Sequence, residues 1–259
     1  MKKILSIILV LALMFSFTAC SSEPKTDLDY VKEKGVLTVG ITNFEPMDYP
    51  NENGEWIGFD ADLAKAFAES IGVKAEFVEI EWSNKVLELD GKTIDCVWNG
   101  MTLTEEVKSA MNTSNPYFNN AQVLIVKADV VEKYKTEKDL TKLAFAVEDG
   151  SAGMKEVEAL GLTFTPVLSQ ADALMEVSAG TCDAAVIDLL MAMAMIGEGT
   201  SYEDLTYSIH LNSEEYGVGF RKESNLTEKL NEFFVKSYKD GQIQKIAEEY
   251  GIADAVIEQ

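Results

Sequence analysis

Arginine, histidine and cysteine are scarce in this chain of 259 residues, which holds one histidine (His210), one arginine (Arg221) and three cysteines (Cys20, Cys96, Cys182). A lone histidine without a Cys/His cluster leaves zinc sites and histidine-based triads without their parts. Beside Leu211, His210 reads as structural. Cys96 and Cys182 sit in short apolar runs in different halves of the chain, Ile94 to Trp98 and Cys182 to Ile187. That reads as two buried free thiols rather than a disulfide. Lysine plus arginine number 22 against 44 acidic residues, a net charge of −22, which argues against nucleic acid and anionic membrane surfaces as partners. Met191, Met193 and Met195 recur every second residue and so share no helix face; they read as adaptable core filler, not as a copper site. No cofactor signature, internal repeat or low-complexity segment stands out. The one extended apolar run, Ile4 to Phe17, is too short to read as a membrane span.

That run is itself informative. Lys2 and Lys3 precede it and Thr18-Ala19-Cys20 follow it, the layout of a secretory signal. Residues 1–19 are the expected signal peptide. A cysteine directly after Ala19 resembles a lipoprotein signal, in which Cys20 becomes the lipidated first residue, although Phe17 stands where that pattern usually has leucine. Ordinary cleavage with an incidental cysteine is the alternative. Residues 20–34, polar at first and containing Pro24, are expected to tether the fold. About 240 residues remain, enough for one large or two modest domains.

The centre of the chain is Trp98-Asn99-Gly100-Met101-Thr102-Leu103-Thr104, the end of an apolar strand followed by a glycine turn and a helix start capped by Thr104. Such a turn leaves backbone N–H groups free for a ligand's polar or anionic group. Around it, strand and helix patterns alternate. Leu37 to Ile41 reads as a strand. Phe59, Leu63, Ala66 and Phe67 have helical spacing, and Ala75 to Ile80 reads as the next strand. After Ala121 a second series begins: strands at Gln122 to Val126 and Cys182 to Ile187, a glycine loop at Asp149 to Gly153, and helices near 154–160, 171–179 and 189–196. Helices at 226–240 and 243–250 are expected to complete the first unit. Strand-helix-strand order implies parallel sheets covered by helices.

Four motifs carry a family resemblance. Gly100-x-Thr102-x-Thr104 resembles the Gly-x-Thr-x-Thr-x-x-Arg run of the polar amino-acid-binding proteins that feed ABC importers, solute-binding protein family 3. Gly58-Phe59-Asp60-Ala61-Asp62-Leu63 resembles that family's Gly-Phe-Asp-x-Asp-Leu signature, which is structural. Asn115-Pro116-Tyr117 and Tyr216-Gly217-Val218-Gly219-Phe220 resemble its two interlobe crossovers. The resemblance implies an α/β, two-lobe periplasmic-binding-protein fold of type II. Lobe 1 would comprise 35–118 plus 219–259 and lobe 2 would comprise 122–215. Hinge closure would bury the ligand in the cleft between them.

The resemblance also implies roles. Phe44 and Trp82 would wall the ligand with aromatic faces. Gly100 would offer its carbonyl to an ammonium and Thr102 its N–H and hydroxyl, with Met101 and Val107 lining the site. Ser151 and Ala152 would add N–H donors, and Asp188 would pair with an α-amino group. The lesser alternatives are that Asp188 caps the helix that follows it and that the two aromatics are core. Val107 occupies the position where the family has its carboxylate-binding arginine. Lys108 lies roughly 100° further around the helix and is a poor substitute, while Arg221 lies beyond the second crossover. Glu45, Glu148, Asp149 and Asp188 fall in or beside the site loops.

The expected function is therefore the extracytoplasmic substrate-binding component of an ABC importer. It would capture a polar or neutral, not acidic, amino acid and present it to the permease subunits, as a monomer held at the membrane through Cys20. Two alternatives stay open: a cationic amine lacking an α-carboxylate as ligand, and a dehydratase-type enzyme on the same fold.

Overall fold

The computed structural model describes residues 25–259; the leader and Cys20 lie outside the described residues. The expected tether is shorter than 20–34, because a helix already spans Asp27–Lys34. Thr26 accepts from the Asp29 N–H, Asp29 reaches back to the Thr26 N–H, and Gly35 ends the helix at φ 75°, so start and stop are both encoded locally.

Two five-stranded sheets follow. Strand β1 (Val36–Ile41) is succeeded in the chain by a small antiparallel pair, β2 (Tyr49–Pro50) and β3 (Trp56–Ile57). In the first sheet β1 lies between β4 (Lys74–Glu79) and β5 (Cys96–Val97), parallel to both. Beyond β5 come β14 (Gly219–Phe220) and β6 (Asn112–Thr113), completing the order β4-β1-β5-β14-β6. Helices Phe59–Ser70, Leu226–Lys239 and Gln242–Glu249 pack together against this sheet around an aromatic cluster of Phe67, Trp98, Tyr117, Phe233 and Phe234. The second sheet is built from β8 (Gln122–Lys127), β9 (Phe145–Glu148), β10 (Phe164–Val167), β11 (Ala184–Asp188) and β12 (Leu205–His210). Its order is β10-β9-β11-β8-β12. It is not wholly parallel: β8 pairs antiparallel with both β11 and β12. β8 enters this sheet straight from the crossover and so runs against the βα units that follow it. Cys182 precedes β11 rather than forming its start and is only partly buried, whereas Cys96 is fully buried; both thiols are free.

The lobes are joined by two short strands, β7 (Phe118–Asn120) and β13 (Glu214–Tyr216), paired antiparallel in register Phe118 with Tyr216 and Asn120 with Glu214. The end of the chain returns to this hinge, where Val256 bridges Phe118 and the Ile257 N–H donates to the Tyr117 carbonyl. Arg221 is a strut of lobe 1. Its guanidinium bonds Asp27 at 3.0 Å, Asp95 at 3.3 Å and the Ile94 carbonyl at 2.8 Å, pinning the first helix and β5 to the end of β14. With all its reach committed there, it has no part in the cleft. Among the described residues no helix is long and apolar enough to cross a membrane.

Candidate functional site

A cavity of about 140 Å³ lies between the lobes at the carboxyl ends of the strands, the place where open α/β sheets receive ligands. Phe44, Trp82, Gly100, Met101, Thr102, Val107, Ser151, Ala152 and Asp188 all line it. So do Thr42, Lys85, Asn99, Glu106, Glu148, Lys155 and Gln170.

The first-lobe wall is the turn after β5. Gly100 sits at φ 53°, and a Cβ there would stand 2.6 Å from the Phe44 ring and 3.2 Å from that of Tyr216, so only glycine lets both rings approach. Its N–H donates 2.7 Å to Asp60, which also accepts the Tyr117 hydroxyl. Asp60, in the Gly-Phe-Asp motif, is fully buried and serves as the support of the ligand-side turn. The same turn is held from below by Asn99, which accepts the Thr42 N–H and hydroxyl and donates to Asp48. Among the described residues no donor takes the Gly100 carbonyl and no acceptor takes the Thr102 N–H, so both remain for a ligand. Thr104 caps its helix by accepting the Val107 N–H at 3.1 Å. Lys108 is spent on exposed Glu105 at 3.3 Å and does not line the cavity.

The second-lobe wall is the loop from β9 into helix Ala152–Ala159. The hydroxyl of Ser151 caps that helix by accepting the Met154 N–H at 3.0 Å. Its own N–H donates to the Glu148 carbonyl at 3.2 Å. The backbone donor left at this helix start on the cavity is therefore Ala152, not Ser151.

Asp188 makes no cap hydrogen bond to helix Leu189–Met195. One of its oxygens accepts from Asn120 at 2.5 Å, Tyr216 at 2.5 Å and Gln122 at 3.1 Å, and the other accepts from Gln170 at 2.5 Å. Asn120 and Gln122 each also donate to Glu214, at 2.7 and 2.8 Å, and Glu214 takes the Thr102 hydroxyl at 2.9 Å. Thr102 belongs to lobe 1, Asn120, Glu214 and Tyr216 to the hinge strands, and Asp188 to lobe 2. One hydrogen-bonded chain thus joins both lobes through the hinge. Burial first, then the neighbouring Glu214 charge, push the Asp188 carboxyl up to about 7. Burial and Asp188 together push Glu148 up to about 8. Low polarity and like charge both disfavour ionisation in the cleft.

Sequence reasoning missed Thr42, Lys85, Asn99, Glu106, Lys155 and Gln170 on the cavity, and Glu214 in the network beside it. Glu214 had a usable signal, since strand alternation puts it on the same face as Tyr216. Lys85 and Gln170 had none, because each reaches in from the first turn of a helix placed by tertiary packing.

The lobes are in contact across the cavity. The Lys85 ammonium donates 3.0 Å to the Gly150 carbonyl, and Lys155 meets Glu106 at 3.3 Å. Gly150, at φ 72°, lies so near lobe 1 that a Cβ would stand 2.9 Å from the Ser83 Cα. Gly150→Ala is therefore expected to wedge the cleft: a radius of gyration larger than wild type by small-angle scattering, at least tenfold weaker ligand binding, and a strain cost of ~1–2 kcal/mol.

A hinged pair of α/β lobes closing over a small cavity lined by aromatic, polar and charged side chains defines a cleft-type solute-binding protein. The family model for bacterial extracellular solute-binding proteins, family 3, matches residues 37–253, and the chain belongs to that family. It is 27% identical to the arginine-binding extracellular protein ArtP of Bacillus subtilis, over 96% of this chain and 98% of that protein. Among solved structures, a mutant of ArgBP from T. maritima superposes with a TM-score of 0.81 at 35% identity, covering 86% of this chain and 98% of that one. An ancestral amino acid-binding protein, a precursor of cyclohexadienyl dehydratase, superposes at 0.79 with 30% identity, covering 87% and 99%.

Proposed function

We propose that this protein captures an amino acid by hinge closure and delivers it to an ABC importer's permease subunits. The observation that carries the reading is the pairing of ends in one cavity between the lobes. Asp188, the free Gly100 carbonyl and the Thr102 hydroxyl offer acceptors for an ammonium, while the free N–H groups of Thr102 and Ala152 offer donors for a carboxylate. Phe44 and Trp82 flank that space and would hold an aliphatic or cationic stem. No arginine lines the cavity, and of its two lysines Lys155 is paired with Glu106 and Lys85 is held against the Gly150 carbonyl beside Ala152, whereas Glu148 and Asp188 also line it; we therefore read the ligand's side chain as neutral or cationic rather than acidic. Relatives named for arginine and glutamine fit this range. The second reading, an amine without a carboxylate, is the weaker one because nothing would then use the Ala152 N–H.

Binding without turnover is the proposed activity, and a ligand recovered unchanged by NMR after prolonged incubation checks it. The leader supports export, and Cys20 supports lipid anchoring at the outer face of the cytoplasmic membrane; Cys20→Ser is expected to release the protein from membranes. The direct test of binding is thermal unfolding of residues 21–259 against the common amino acids. A bound ligand at a hundred times its dissociation constant adds ~2.7 kcal/mol. A panel in which only acidic amino acids, or none, raise the unfolding temperature would overturn the reading.

A further inference from the structure

Lys85 is a buried cation that faces the cavity and has no counter-ion. It is 8% exposed and begins the helix Lys85–Asp90. Its ammonium stands 4.7 Å from the centre of the Trp82 ring and donates to two carbonyl oxygens, Trp82 at 3.1 Å and Gly150 at 3.0 Å. An ammonium has three N–H donors, so one remains. No carboxylate among the described residues lies within 4.0 Å of it, whereas Lys155, the other cation on the cavity, is taken by Glu106 at 3.3 Å. A buried charge without a partner is costly unless something completes it.

We infer that Lys85 is the cation that binds the ligand's α-carboxylate, together with the Ala152 N–H of the loop it already touches. The assignment rests on the amino-acid reading above and assigns a charge partner to it. The Gly150 carbonyl that Lys85 holds is two residues before Ala152, so closing the cleft brings this ammonium to the helix start that offers a free N–H. The arrangement also balances the charges: the ligand's ammonium faces Asp188, its carboxylate faces Lys85, and Glu148 is left for the side chain. Desolvation lowers the Lys85 pKa to about 8 although Glu148 and Glu106 oppose this, and a bound carboxylate would restore the charged form.

A purely mechanical latch between the lobes is the competing role, and the two separate on one ratio. Calorimetric affinities would be measured for L-arginine against L-argininamide and for L-histidine against L-histidinamide, pairs that share ammonium and side chain and differ in the carboxylate. Wild type is expected to prefer the acid. In Lys85→Met that preference is expected to collapse at least tenfold, through a weakened acid with the amide held or improved, and Lys85→Arg is expected to keep part of it. Equal weakening of acid and amide in Lys85→Met, leaving the ratio unchanged, makes Lys85 a latch and overturns this assignment while the amino-acid reading stands. A wild type that prefers the amides or ignores all four ligands and every other amino acid overturns both. Should Lys85→Met fail to fold, a Lys85→Arg protein with an unaltered ratio and an alkaline limit of acid binding unmoved from wild type overturns the assignment in the same way.

Discussion

Asp188→Asn is expected to abolish ligand-induced stabilisation while leaving the ligand-free protein as stable as wild type, within ~1 kcal/mol, or slightly more stable. The two effects have one cause. Without ligand the Asp188 carboxylate is disfavoured by burial and by Glu214, whose charge it faces across the shared amides of Asn120 and Gln122. Removing the charge removes that penalty, and the amide oxygen can still accept from Asn120, Gln122 and Tyr216. The cost on that side is at Gln170, whose Nε2 would meet an NH₂ group unless its amide turns over. For a ligand the balance reverses. An ammonium buried beside a neutral amide loses its charge partner, and truncating one side of a buried hydrogen-bonded ion pair costs ~2–5 kcal/mol, or roughly thirty- to several-thousand-fold in affinity. Thermal unfolding with and without ligand, together with calorimetry, reads both. The reverse result would be a ligand-free protein weakened by several kcal/mol that still responds to ligand. It would make Asp188 a pin of the hinge and take the ammonium role away from it.

The fold and the walls of the cavity are legible in the sequence because their signals are local. A strand, a glycine turn and a capped helix are written into Cys96 to Lys108 in sequence order, and Trp56 to Leu63 and Phe145 to Ala152 are similar. The nine residues that the resemblance places at the site all line one cavity, most of them in the loop or turn that follows a strand and Val107 in the short helix Glu105–Ala110. What escapes is decided by distant contacts. Asp60 looks like a helix-start residue, yet its carboxylate is spent on Gly100 and Tyr117, far along the chain. Arg221 looks merely misplaced; its partners Asp27, Ile94 and Asp95 come together only once β14 lies beside β5. The helix Asp27–Lys34 was missed for the opposite reason, since the capping box of Thr26 and Asp29 is a local signal that already marks it. Lys85 is the instructive omission. A lysine opening a short helix ordinarily reads as a solvated surface group, and only the loop at Gly150 from the other lobe turns it into a buried one.

The stability of the ligand-free protein is expected to fall as pH rises from about 5 to 8, and Glu148→Gln is expected to flatten that slope. Glu148, held near 8, and Asp188 and Asp60, each near 7, carry pKa values raised above those of exposed carboxyls, with burial as the first cause in all three. A raised acid binds its proton more tightly folded than unfolded. Its contribution is therefore fully present below the unfolded value near 4 and is lost as pH climbs through 7 to 8. Each such group is worth up to ~1.4 kcal/mol per unit of difference. Lys85 has the other sign. Lowered to about 8, it releases its proton in the folded protein while the unfolded chain keeps its own, so stability partly returns between about 8 and 10.5 and the minimum falls near 8. Denaturant titrations of wild type and Glu148→Gln from about pH 5 to 9 would check this, with the variant matching wild type at about pH 5 and exceeding it by ~1–3 kcal/mol at about pH 8. The outcome also decides what the cleft offers a side chain. A variant that gains stability in this way shows a Glu148 that is protonated at neutral pH before ligand arrives, where it can donate to a neutral amide or give up its proton to pair with an incoming cation. Parallel curves would mean that Glu148 is already ionised without ligand, a fixed negative charge suited to cationic side chains alone.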